Sequence, residues 1–219
     1  MVPIVCVVGT SGVGKTHVMK GLVAELKKRG YRVATLKHSP HHIDMDMEGK
    51  DSWEHAQAGS DAVVVSTPDK VALIRKVDHD HTVAELSRIV GGDFDIILGE
   101  GFKQAQALKI EVHRKDLGRD LTCAADELLA VATDERLPED VPQYGLDDAA
   151  GLVDLIEQRC LRDLGEKDTV HLYVNAVPVP LNEFVRGIFS NVLFGMVSSL
   201  KRIPEASGID ISLRRKRVQ

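Results

Sequence analysis

The stretch Gly9-Thr10-Ser11-Gly12-Val13-Gly14-Lys15-Thr16 decides the fold. It fits the spacing G-x-x-x-x-G-K-[ST], and its flanks supply the context that this spacing needs. The apolar run at 3–8 predicts a buried strand, and residues 15–29 predict a helix. A glycine-rich turn between a strand and a helix N-terminus lets several backbone N–H groups converge on a polyphosphate. The helix dipole adds partial positive charge at the same place. In that arrangement Gly9, Thr10, Ser11, Gly12, Val13 and Gly14 cradle the phosphates. Lys15 reaches the β- and γ-phosphates, and the Thr16 hydroxyl ligates Mg2+. The chain is expected to bind a nucleoside triphosphate.

Outward from the loop, strand-like and helix-like segments alternate. Strands are predicted at 32–36, 61–66 and 71–75, the last two joined as a hairpin across Thr67-Pro68-Asp69. Further strands fall at 94–98, 108–112 and 128–132, and helices at 50–58, 82–89 and 147–164. The alternation predicts an α/β fold of the P-loop NTPase kind, a mainly parallel sheet with helices on both faces. Near Gly165 the composition turns polar, which divides the chain into a nucleotide-binding domain (1–165) and a small C-terminal β-α-β appendage (166–219). In the appendage a strand at 170–174, a turn at 175–178, a helix with a broad apolar stripe from Leu181 to Leu200 and a strand at 209–213 are expected. About 50 residues make a unit too small to be comfortably stable alone.

Composition excludes several function classes. A hydrophobic content of 43% with 28% charged residues is that of an ordinary globular chain. A formal charge of −5 and only 4% aromatic residues argue against nucleic acid as a partner. Cys6, Cys123 and Cys160 are far apart and form no C-x-x-C pair, so neither a disulfide framework nor a structural zinc site is expected. With no leader-like N-terminus and no run of about 18 apolar residues, the expectation is a cytoplasmic protein that does not engage a membrane.

Ligands in open α/β sheets bind outside the carboxyl ends of the strands, and reactive residues gather in loops there. Glu100, in Gly99-Glu100-Gly101-Phe102-Lys103, stands at the tip of the strand at 94–98 and is expected to share Mg2+ with Thr16. Asp95, about 16 Å away along that strand, cannot serve the same ion. Lys15 and Glu100 are therefore the catalytic candidates, and the Gly101 N–H is a candidate donor to a γ-phosphate. Lys37 and Lys103 can add positive charge. His38, His41 and His42, with Asp44 and Asp46, suit either phosphate and backbone bonding or zinc or nickel, and His79-Asp80-His81 adds a second group. His38 is counted with the nucleotide site. Asp134, after the strand at 128–132, is placed by topology to accept from a guanine edge. The asparagine and lysine of an N-K-x-D loop are absent, so the residues leave GTP and ATP both open.

The segments GTSGVGKT (9–16), ATLKHSPHHIDMDMEGKDSWEHAQAGSDAV (34–63), ILGEGFK (97–103) and KIEVHR (109–114) together resemble the MobB family, the molybdopterin-guanine dinucleotide biosynthesis protein B group. The resemblance implies a GTP-binding protein that hydrolyses GTP slowly and assists a separate molybdopterin guanylyltransferase. It also implies a homodimer, with the molybdopterin cofactor as a further partner. Carried over, residues 12–16 become the phosphate cradle, and Glu100 and Gly101 the metal and γ-phosphate end. Gly99 stands where a larger aliphatic residue is more usual, and the tail beyond about residue 166 is not covered by the short form of the family. Three other readings compete: a metallochaperone GTPase built on the histidine loop, a small-molecule P-loop kinase with Arg114, Arg119 and Asp120 sketching a lid, and a nucleotide-gated adaptor.

Overall fold

Four successive side chains of β1 (Ile4–Val8), from Val5 to Val8, are fully buried, as a strand covered on both faces requires. This strand lies at the centre of the computed structural model, which describes residues 2–39, 41, 43, 45–117, 120–162, 170, 172–174, 177–201, 206, 208–209 and 211–213. The chain divides into two compact units, residues 2–156 and residues 157–219 together with Met1.

The first unit adds α1 (Lys15–Lys28), β2 (Val33–Lys37), α2 (Asp51–Gln57), β3 (Ala62–Ser66), β4 (Val71–Arg75), α3 (Val83–Val90), β5 (Ile96–Glu100), β6 (Leu108–His113), β7 (Leu128–Thr133), β8 (Gln143–Tyr144) and α4 (Ala149–Ile156). Six strands form one sheet in the order β2-β5-β1-β6-β7-β8, every neighbouring pair parallel. The expected α/β architecture is what the chain adopts. The strand order reverses at β1: the chain passes through α1 to β2 on one side, later returns to insert β5 between them, and then lays β6 on the other side. The loop after β1 is thus a switch point, where open α/β sheets leave a crevice.

Helices cover both faces. Val18, Leu22 and Leu26 recur along α1 at helical spacing and are buried together with Met19, and α1 also packs against α4. On the opposite face Cys6 and Val8 meet Ala34, Leu36, Ile97 and Val83 of α3. Thr82 caps α3 with its side chain accepting from the Glu85 N–H while Glu85 reaches back, a complete capping box.

β3 and β4 pair antiparallel as the predicted hairpin and form a sheet of their own. Register places Val64 opposite Leu73 on one face, with Val71 two residues along, and all three are exposed. Val63, on the other face, is buried beside α2. β8 was not anticipated, because two residues carry no periodicity to read.

In the second unit a π-helical turn (Glu157–Leu161) continues from α4, so the single helix expected over 147–164 is shorter and ends in a wider winding. Among the described residues the unit runs β-β-α where β-α-β was expected. β9 (Leu172–Val174) pairs antiparallel with β10 (Val177–Val179), where a turn had been expected, and residues 211–213 are not strand. A strand two residues away closes its ladder at a smaller entropic cost than one returning across a helix. The following helix, α5 (Glu183–Ser198), is capped by the Asn182 side chain accepting from the Val185 N–H. Its row Phe184, Ile188, Val192, Met196, continued by Leu200, is exposed. Arg214-Arg215-Lys216-Arg217 lies outside the described residues. No helix among the described residues is long and apolar enough to cross a membrane.

Candidate nucleotide site

The loop after β1 is held open by backbone conformations that only glycine adopts freely. Gly9 has φ 133°, and a Cβ there would lie 2.6 Å from the Val112 carbonyl oxygen on β6. Gly14, at φ 104°, is the N-cap of α1. No side chain caps this helix and its first turn carries no acid. The first backbone N–H groups of the helix are therefore left without a side-chain cap, the condition an anion site requires. Val13 is buried and anchors the loop, whereas Ser11 and Gly12 are exposed at its tip.

Lys15 Nζ donates to the Gly9 and Thr10 carbonyl oxygens at 3.1 and 2.7 Å. Its ammonium is thus folded against the carbonyls of the loop it serves. Partial burial lowers its pKa; Glu100 pulls it back up, and Lys103 and Lys37 push it further down. An arriving phosphate would relieve that penalty.

β5 ends at Glu100, which faces Val7 in the ladder with β1 and Lys37 in the ladder with β2. The strand runs two residues further than expected and carries the acid to the carboxyl end of the sheet. There the Thr16 hydroxyl donates to Glu100 Oε1 and Oε2 at 3.1 and 3.0 Å, and Lys37 Nζ lies 3.3 Å from Oε1. A hydroxyl and a carboxylate converging beside a phosphate cradle form a hard, all-oxygen donor set, which suits Mg2+ and fits a soft metal poorly.

Gly101 is placed beside this pair, but its N–H donates to the Val7 carbonyl at 2.9 Å. That bond closes the last β1–β5 bridge, Val7 with Glu100, so in this geometry the N–H expected to meet a γ-phosphate is engaged in the sheet. Gly101 and Phe102 both take positive φ, 96° and 58°, a strained pair where the strand turns away. The Phe102 ring folds back over the sheet: a Cβ on Gly99 would lie 3.1 Å from it and 3.1 Å from Cys6 Sγ. Glycine at position 99 follows from that ring.

His38 follows β2, with its ring against Phe102 (centroids 5.3 Å apart) and its Nε2 2.8 Å from Asp80 Oδ2. His41 is exposed, and His42 and Asp44 lie outside the described residues. Asp134 stands at the carboxyl end of β7 and is exposed, its Oδ1 accepting the Lys115 N–H at 2.8 Å.

Two contacts around the loop and α1 escaped sequence reasoning, although Arg114 itself was singled out there. Arg114, the first residue after β6, donates from Nε to the Val13 carbonyl at 3.1 Å, and its guanidinium lies 3.4 Å from where a Cβ on Gly14 would be. A permanent cation thus lies against the glycine-rich loop. His17, in the first turn of α1, has Nε2 2.6 Å from Asp147 Oδ1, and both line a cleft of about 360 Å3 with Lys20, Gly21 and Leu146. Both features depend on which strands neighbour β1, which no local pattern reveals.

Residues 4–134 match the family described as MobB, Molybdopterin guanine dinucleotide synthesis protein B. The chain belongs to the MobB family. It is 34% identical over 160 residues to the molybdopterin-guanine dinucleotide biosynthesis adapter protein of Haemophilus influenzae, a match covering 71% of this chain and 88% of that protein. The identically named Escherichia coli protein is 34% identical over 161 residues, covering 71% of this chain and 92% of its own. Among solved structures, the crystal structure of Bacillus subtilis MobB superposes with a TM-score of 0.57 at 27% identity, covering 71% of this chain and 97% of that one. A crystal structure of molybdopterin-guanine biosynthesis protein B gives 0.55 at 27% identity, over 71% and 98%. The MobB match spans the phosphate loop, Glu100 and Arg114, and ends at Asp134.

Proposed function

We propose that this MobB-family protein is a GTP-binding accessory protein of molybdenum cofactor biosynthesis, assisting the guanylyltransferase that forms molybdopterin-guanine dinucleotide. The observation that carries the nucleotide part is the convergence of Lys15, Thr16 and Glu100 on one uncapped helix N-terminus. The names of the curated relatives support the pathway.

In this reading the loop amides and Lys15 hold the triphosphate, and Arg114 adds positive charge on the side of β6. Thr16 and Glu100 would hold Mg2+, which neutralises charge developing on the β- and γ-phosphates. Glu100, paired also with Lys37, is positioned as the carboxylate of that end. This reading assigns no side chain the task of orienting an attacking water, so hydrolysis is expected to be slow unless a partner supplies one. Asp134 is the candidate reader of the guanine edge, through the oxygen not bonded to Lys115.

A homodimer is part of the proposal. An isolated two-stranded hairpin is marginal in water, and the Val64, Val71 and Leu73 face of β3–β4 offers apolar surface for a second copy.

Calorimetry of GTP and ATP binding at fixed Mg2+ tests the reading. GTP is expected to bind more tightly than ATP, Lys15→Ala to weaken both strongly, and Asp134→Asn to remove the preference while Asp147→Asn preserves it. A protein that prefers ATP, or whose affinity survives Lys15→Ala, overturns it.

A further inference from the structure

The loop before α3 carries a group of side chains that the nucleotide site does not use. His79, His81 and Glu85 each present a ligand atom, and all three atoms lie within 4.8 Å of one another. The two imidazole rings are stacked, with centroids 4.6 Å apart and planes inclined by 22°. His79 Nε2 lies 3.1 Å from Glu85 Oε1. Each of the three is also held from behind. Asp78 Oδ1 sits 2.6 Å from His79 Nδ1, which points His79 Nε2 inward. The His79 carbonyl lies 3.3 Å from His81 Nδ1. The N–H and hydroxyl of Thr82 both donate at 2.8 Å to Glu85 Oε2, which leaves Oε1 facing the histidines.

That second layer is the arrangement found behind metal-bound histidines, where the far ring nitrogen donates to a carboxylate or a backbone carbonyl. We propose that His79, His81 and Glu85 form a binding site for a divalent transition-metal ion of the zinc type, with a fourth position open to water. Two imidazoles and one carboxylate are a borderline donor set that suits zinc and disfavours magnesium. Metal–ligand distances of about 2.0–2.2 Å put tetrahedral ligand atoms roughly 3.4 Å apart, so small rotations of exposed side chains complete the site. Arg75 Nη2 lies 3.0 Å from His81 Nε2. A guanidinium only donates, so that nitrogen is the unprotonated one, the tautomer a metal needs, and its lone pair is held by the arginine until an ion displaces it. The arginine, exposed at the end of β4, turns aside on binding. Asp80, between the two histidines, bonds His38 instead. An ion here ties the loop before α3 to the first turn of that helix, while Asp80 links the same loop to His38.

The test titrates the full chain with Co2+ alone, followed by its visible absorption, and then with Zn2+ in competition. One equivalent of Co2+ is expected to give the intense bands of a tetrahedral centre, and one equivalent of Zn2+ to bleach them. Glu85→Gln keeps the capping box while removing the charged ligand, and is expected to weaken Co2+ binding at least tenfold. His81→Ala is expected to abolish the bands, and the double change His41→Ala with His42→Ala to leave them intact. Melting temperatures check that each variant folds; if His81→Ala does not, Glu85→Gln decides. The proposal is overturned by wild-type protein that binds no stoichiometric Co2+, by bands that survive Glu85→Gln unchanged, or by bands lost in the His41/His42 double variant. Nucleotide binding takes no part in this readout, so its outcome stands apart from the GTP assignment.

Discussion

The Thr16 hydroxyl donates to both carboxylate oxygens of Glu100 across 84 residues of sequence. One residue opens α1 and the other closes β5, and the insertion of β5 beside β1 brings them together. Glu100 also answers Lys37, so its carboxylate is held from helix α1 and strand β2 together.

If the pair shares Mg2+, Thr16→Ala and Glu100→Gln should each weaken Mg2+-dependent GTP binding roughly tenfold or more, the worth of a charge-assisted contact. Residues acting on one ion are not independent, so the double variant should lose less than the sum of the two. Titration of a fluorescent GTP analogue with and without Mg2+ measures this. Equal affinities in the two buffers for wild type would remove the ion from the scheme.

Glu111 is 2% exposed and accepts from the Thr122 N–H, the Thr122 hydroxyl and the Cys123 N–H at 2.6, 2.7 and 3.0 Å. A single buried carboxylate thus fastens the segment after the helical turn Lys115–Leu117 to β6. Glu111→Ala leaves those donors unanswered and should destabilise the fold by about 2–4 kcal/mol, Glu111→Gln by less. Urea unfolding followed by circular dichroism gives the difference; an unchanged midpoint would show that the loop is fastened elsewhere.

Burial pushes the Cys6 thiol up to about 11, against a smaller opposing pull from Lys109. A raised pKa keeps the thiol protonated, so at pH 8 only about one molecule in a thousand carries the reactive thiolate at this position. Iodoacetamide should therefore label Cys6 far more slowly than the partly exposed Cys123 and Cys160, and the Cys6 rate should climb as pH rises from 8 toward 10. Unfolding in guanidinium should bring the three rates together. Mass spectrometry of the labelled peptides reads all three; rapid labelling of Cys6 in the folded protein would contradict its burial.

Leu73 lies on the exposed hairpin face opposite Val64. Leu73→Lys sets a charge in the middle of that face and should convert a dimer to monomer at micromolar concentration while leaving the parallel sheet folded. Light scattering after size exclusion measures the mass. A dimer that persists would move the interface elsewhere, and the exposed row of α5 is the next surface to test.

Much of this molecule follows from local chemistry. The run of apolar residues in β1, the glycines at positive φ and the helix after them are set by residues within a few positions of one another, where hydrophobic spacing and steric freedom act. The hairpin between β3 and β4 and the helix over 82–89 were legible for the same reason. The placement of Glu100 beside Thr16, of Arg114 against the loop, and of His17 opposite Asp147 was not legible as contact. Each depends on which strand or loop lies next to another, and pairing between distant segments leaves no period in the chain. The tail makes the same point in reverse. Its valines suited either a turn or a strand, and the hairpin of β9 and β10 formed because the nearest partner closes at the lowest entropic cost. From its residues alone the chain determines a glycine-rich turn between a strand and a helix, and the family that carries it. Only tertiary structure decided which side chains surround that turn, because packing between segments far apart in sequence sets their neighbours.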